Sequence, residues 1–125
     1  MQPDVTIMDI PKLAEKLRQF AQDRDWEQFH SPKNLVMALG VEAAELQEIF
    51  QWLTEEQSGS LDDSKLSAAA AEIADIQIYL VRIADSLGVD IELAVKEKLT
   101  ENDKKYPADK VRGSAAKYTS YEEKE

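Results

Sequence analysis

Between Ala68 and Ala84 the only ionisable side chains are Glu72, Asp75, Tyr79 and Arg82, and the apolar residues among them spread over more than one face of a helix. A helix of that kind is stable only when it is covered on most sides. The segment therefore demands that the rest of the chain, or a second copy of it, be wrapped around it. Strand signals offer no competing solution. β-branched residues do not alternate with polar ones, and apolar positions recur at intervals of three and four. The expected fold class is all-α, built from four helices.

Local signals set the boundaries. The first helix is expected from about Pro11 to Arg24, with Leu13, Leu17 and Phe20 on one face and Pro11 in the first turn, where a missing N–H costs little. Asp25 to His30 connects it to the second, for which Ser31 and Pro32 read as N-cap and first residue. That helix passes through Leu35, Leu39, Glu42, Leu46 and Ile49 to about Leu53, before the break at Gln57-Ser58-Gly59-Ser60. Asp62, Asp63 and Ser64 can each cap the third, which stops at Gly88, a residue suited to the left-handed C′ position. Asp90 caps a fourth carrying Ile91, Val95 and Leu99 and closed by Pro107. Residues 1–107 are thus expected to form one domain, and 108–125 a polar, flexible tail.

A chain of 125 residues can bury one core. Four helices of this length hardly surround the third, so the expectation is a homo-oligomer, a dimer or a dimer of dimers, in which helices of two subunits share a core. A monomer with that helix at its centre is the alternative. The chain has no cysteine, which removes disulfides and thiolate metal sites. A net charge of −10 opposes the phosphates of DNA or RNA and argues against polymeric nucleic acid as a ligand. A small polyanion can still bind where metal ions and a few basic groups reverse the local field. The start Met1-Gln2-Pro3-Asp4 lacks the layout of a signal peptide and no apolar run is long enough to span a membrane, so a cytoplasmic protein without a membrane partner is expected.

Glu42 and Glu45 are three apart on the second helix, as are Glu72 and Asp75 on the third, so each pair projects from one face about one turn apart. Two facing pairs make an all-oxygen cluster of the kind that hard divalent cations take, magnesium in particular, with manganese as a substitute. The pattern E-x-x-E is common on solvated helices, but here the acids stand among Leu39, Val41, Ala43, Ala44, Ala69, Ala70, Ala71 and Ile73. No lysine or arginine lies near them in sequence. A structural network with Arg82 or Lys98 is the competing explanation. Glu48 reads as exposed rather than as a further ligand. Trp26, Phe29 and Trp52 can wall in a flat ring or belong to the core. Lys98, Asn102 and Lys105 fall at i, i+4 and i+7 on one polar face, with Tyr106 beside them. Lys33 and Asn34 lie in a first helical turn, where a phosphate meets free N–H groups.

The runs Phe29-His30-Ser31-Pro32-Lys33-Asn34-Leu35, Gly40-Val41-Glu42-Ala43-Ala44-Glu45-Leu46, Phe50-Gln51-Trp52, Glu72-Ile73-Ala74-Asp75-Ile76 and Lys104-Lys105-Tyr106-Pro107 together resemble the MazG-like nucleotide pyrophosphohydrolases, in particular their dCTP pyrophosphatase branch. The resemblance spans about residues 10 to 107. It implies magnesium bound by Glu42, Glu45, Glu72 and Asp75, assembly as dimers or tetramers, and cleavage of a nucleoside triphosphate between its α- and β-phosphates; for that reaction Glu42 or Glu45 is the expected base, the sequence not separating ligand from base. It also implies base contacts at Trp26 and Trp52, a place at the nucleotide for His30, and phosphate or base contacts from Lys98, Asn102, Lys105 and Tyr106. Lys33 departs from the pattern, since arginine is common there in the dCTP branch and lysine lacks its bidentate fork. A di-iron carboxylate site would need a second Glu-x-x-His, which a single histidine denies. A non-catalytic helical oligomerisation module, its acids in interfacial salt bridges, remains as the rival function.

Overall fold

The structure is a computed structural model and describes residues 8–115. Helix α1 spans Ile10–Asp23, with the Asp9 side chain accepting from the Lys12 N–H at 3.2 Å. A short 3-10 turn covers Glu27–Phe29. Helix α2 spans Pro32–Phe50, and Ser31 caps it as expected, its Oγ accepting from the Asn34 N–H at 3.1 Å. Helix α2 ends three residues earlier than its apolar periodicity suggests. The cause is Thr54, which opens the short helix α3 (Glu55–Ser58) with a reciprocal cap: Thr54 Oγ1 accepts from the Gln57 N–H at 3.1 Å, and Gln57 Oε1 accepts from the Thr54 N–H at 2.9 Å.

Helix α4 spans Asp63–Leu87. Of the three candidate caps Asp62 is the one used, accepting from the Lys65 N–H at 2.8 Å. At the other end Gly88 is left-handed (φ 70°), and the Val89 N–H returns to the Ala84 carbonyl at 2.9 Å. The α1 terminus closes in the same way without a glycine. Asp25 takes φ 54°, its N–H reaches the Gln22 carbonyl at 3.1 Å, and the Trp26 N–H reaches that of Ala21 at 2.9 Å. Asp tolerates this conformation better than most residues. Helix α5 spans Ile91–Lys105, capped by Asp90, and α6 spans Ala108–Val111. The expected tail thus begins with a helical turn, and its residues 116–125 lie outside those described.

The described residues divide into two compact units, one ending at Val89 and the other beginning at Asp90. In the first, α4 packs against both α2 and α1. Leu13, Ala14 and Ala21 of α1, Leu35 of α2, and Ala69, Val81 and Ala84 of α4 are buried, with Leu35 and Val81 at 1% exposure. Many larger apolar side chains are not covered. On α4, Leu66, Ile73, Leu80 and Leu87 stand exposed, as do Val36, Met37 and Val41 on α2. The all-round apolar character of α4 is therefore answered on one side only. In the second unit Leu93, Val95 and Leu99 are exposed along α5. Among the described residues there is no strand, and no helix is long and apolar enough to cross a membrane.

Candidate metal centre

Because α2 and α4 pack along each other, residues one turn apart on each can meet across the pair. Three acids do so: Glu42, Glu45 and Glu72 each offer a carboxylate oxygen, and these oxygens lie within 4.8 Å of one another. Glu42 and Glu72 are half-buried and Glu45 is exposed. The apolar residues among which these acids stand in the sequence are themselves open, with Val41 and Ile73 at 57% and 58% exposure. Asp75, one turn on from Glu72 and half-buried, is not among the three that converge.

The electrostatics of the trio turn on Glu72. Its Oε2 is buried and has no hydrogen-bond partner. Two ionised carboxylates cannot donate to each other, so Glu72 meets Glu42 and Glu45 favourably only when a proton is shared among them or a cation stands between. The Glu72 carboxyl is accordingly pushed up to about 7, first by proton sharing with Glu42, then by burial, then by Glu45. The basic residues of the competing structural network, Arg82 and Lys98, are engaged elsewhere. Arg82 lies beside His30 and Asp85, and Lys98 pairs with Glu101 at 3.4 Å. An orphaned buried oxygen within an all-carboxylate set suits a hard divalent cation.

A second cluster forms where the α1–α2 connection passes α4. The Trp26 ring meets Phe20 edge-on at 5.8 Å and His30 at 6.2 Å, and His30 reaches Arg82. The left-handed Asp25 places these rings, helped by Gln28 Nε2 donating to the Asp25 carbonyl at 3.0 Å. None of the three candidate ring-binding aromatics is a core residue. Trp26 is 43% exposed, Phe29 60% and Trp52 87%, the last on the turn after α2. Lys33 is exposed in the first turn of α2. Asn34 is committed locally, its Nδ2 donating to the Phe29 carbonyl at 3.0 Å.

Lys98, Asn102, Lys105 and Tyr106 belong to the second unit. There Lys105 pairs with Glu101 at 2.8 Å, and the Tyr106 N–H closes α5 on the Asn102 carbonyl at 2.8 Å. Flanked by Lys105 and Lys98, Glu101 is held below the usual carboxylate range. Sequence reasoning missed the part played by Arg82, Asp85 and Arg18. The available signal was Arg82 itself, an arginine inside the most apolar helix with an acid three residues on.

Comparison with known proteins places these features in context. The sequence model of the MazG-like family matches residues 37–120. The chain is 44% identical over 119 residues to dCTP pyrophosphatase 1 of Homo sapiens, covering 94% of this chain and 68% of that protein. It is 46% identical over 116 residues to dCTP pyrophosphatase 1 of Bos taurus, with 91% and 67% covered. Among solved structures it is similar to a pyrophosphatase from Archaeoglobus fulgidus DSM 4304, with TM-score 0.74 and 36% identity over 79% of this chain and 93% of that one.

Proposed function

The chain belongs to the MazG-like family, and from that premise we propose that it hydrolyses nucleoside triphosphates between the α- and β-phosphates, releasing a monophosphate and pyrophosphate. A deoxycytidine-type nucleotide, canonical in its base or modified, is the expected substrate, given the identity to dCTP pyrophosphatase 1. What supports this most directly is the convergence of Glu42, Glu45 and Glu72 around a buried oxygen that no donor satisfies.

Glu42, Glu45 and Glu72 would hold a divalent cation, with Asp75 as a fourth acid of the site. Magnesium is proposed as that ion. When bound it neutralises phosphate charge and polarises the phosphorus under attack. Glu72 must give up its proton to become a ligand, so cation affinity rises with pH through about 7. Of the two candidate bases, Glu45 is the more exposed and so the more accessible to a water. Trp26, half-open beside Phe20 and His30, and Trp52, largely exposed on the turn after α2, would stack a base. The exposed apolar faces of α2 and α4 support assembly with further copies of the chain.

Incubation of the purified protein with each common dNTP and NTP, with magnesium, with manganese and with chelator, tests the reaction. Monophosphate plus pyrophosphate, formed only with a divalent cation, is the expected result. Orthophosphate release, or no turnover of any nucleotide, canonical or modified, would overturn it and return the acids to the rival structural role.

A further inference from the structure

Arg82 is the one charged side chain that is buried among the described residues, 8% exposed on α4, and the acid trio does not use it. Its Nη2 lies 3.3 Å from His30 Nδ1, and its Nη1 lies 3.9 Å from Asp85 Oδ2. Asp85 is gripped from α1 by Arg18, Nε to Oδ2 at 2.9 Å and Nη2 to Oδ1 at 3.2 Å. Asp85 is thus tied to both arginines, which fixes where Arg82 can point.

A guanidinium carries donors only and stays protonated, so the nitrogen it faces must accept. His30 Nδ1 is therefore bare, and the single proton of the neutral ring sits on Nε2. Trp26 stands edge-on to the same ring, which limits its rotation. We propose that Arg82 is a positioning residue that holds His30 as a neutral imidazole, with Nε2–H presented as a fixed donor to an uncharged acceptor on the bound nucleotide, such as a base carbonyl. This rests on the nucleotide reading given above. An imidazolium would attract any phosphate, whereas a neutral N–H beside an aromatic ring selects an acceptor by position.

The charges that face the ring agree with this role. Arg82, with Asp85 behind it, comes from α4, and Glu27 comes from the ring's own turn; Arg18 of α1 offsets Asp85. Burial, and then Arg82, hold the His30 pKa below its ordinary value, against the pull of Glu27.

His30 is the only histidine of the chain, so long-range nitrogen–proton NMR correlations read its tautomer and titration without ambiguity. The wild-type ring is expected as the Nε2–H tautomer, titrating below the ordinary value. In Arg82→Met, similar in length and apolar, the titration moves upward and the tautomers mix. Arg82→Lys, which keeps a charged donor, restores the wild-type spectrum. In turnover, Arg82→Met is expected to raise KM about five- to tenfold while kcat changes less than about twofold. A wild-type ring protonated on Nδ1, or an Arg82→Met protein with unchanged titration and unchanged KM, overturns the proposal. If Arg82→Met does not fold, the wild-type tautomer and Arg82→Lys decide it. A wild-type protein that turns over no nucleotide overturns the pyrophosphohydrolase reading instead, and the tautomer measurement, which needs no substrate, still decides for or against Arg82.

Discussion

At Glu72 the carboxyl is pushed from 4.5 up to about 7 by Glu42, burial and Glu45, and this shapes the behaviour of the protein without metal. Between those two values the folded chain binds more protons than the unfolded one, so stability falls as pH rises through the window and levels off above it. Thermal unfolding in chelator from pH 4.5 to 8 should show that decline. Glu72→Gln, which cannot ionise, should flatten it, and a slope unchanged in that variant would remove Glu72 as its source. Magnesium should restore stability mainly at the upper end, where it replaces the lost proton. The same substitution should abolish turnover with the fold intact, measured by product release and circular dichroism. Asp75→Asn tests the fourth acid, and full activity there would exclude it from the site. The spacing of these acids, and their lack of basic neighbours, were legible in the sequence. Which three oxygens converge was not, because that depends on the relative rotation of α2 and α4.

Helix ends show how far local chemistry carries. Ser31, Asp62 and Asp90 cap their helices through the N–H three residues on, a geometry written in the residues themselves. Gly88 closes α4 in the left-handed region, so Gly88→Ala should cost about 1 kcal/mol in denaturant unfolding, through the Cβ strain that a positive φ imposes. A variant of wild-type stability would mean that the α4 terminus adjusts. The end of α1 escaped the same reasoning, since Asp25 occupies the position where a glycine would have been the signal. The end of α2 escaped it too, because apolar periodicity ran on to Leu53, directly before the capping box at Thr54 and Gln57.

At the scale of the molecule, the first unit buries few large side chains and leaves Leu66, Ile73, Leu80, Val41 and Met37 exposed. A single soluble domain rarely leaves that much apolar surface open. Sedimentation of the purified protein should therefore give a dimer or tetramer, and Leu80→Glu should shift it toward monomer if that face is shared. A monomeric wild-type protein would refute the shared core. Trp52, at 87% exposure, is expected to be covered by the bound nucleotide, so Trp52→Ala should raise KM more than it lowers kcat, and unchanged kinetics would free it from the site.

By itself the sequence determined the helical class, the order of the four long helices, most of their caps and the candidate acids, because periodicity, capping and charge spacing act over a few residues, whereas the short turns at Glu27–Phe29, Glu55–Ser58 and Ala108–Val111 escaped it. Only the tertiary structure decided that Glu42, Glu45 and Glu72 share one point, that Glu72 keeps a buried oxygen without a donor, and that Arg82 faces His30 rather than the acids. Those outcomes depend on how α1 and α2 are rotated against α4, which is set by the packing around Leu35 and Val81 and by no local run of residues.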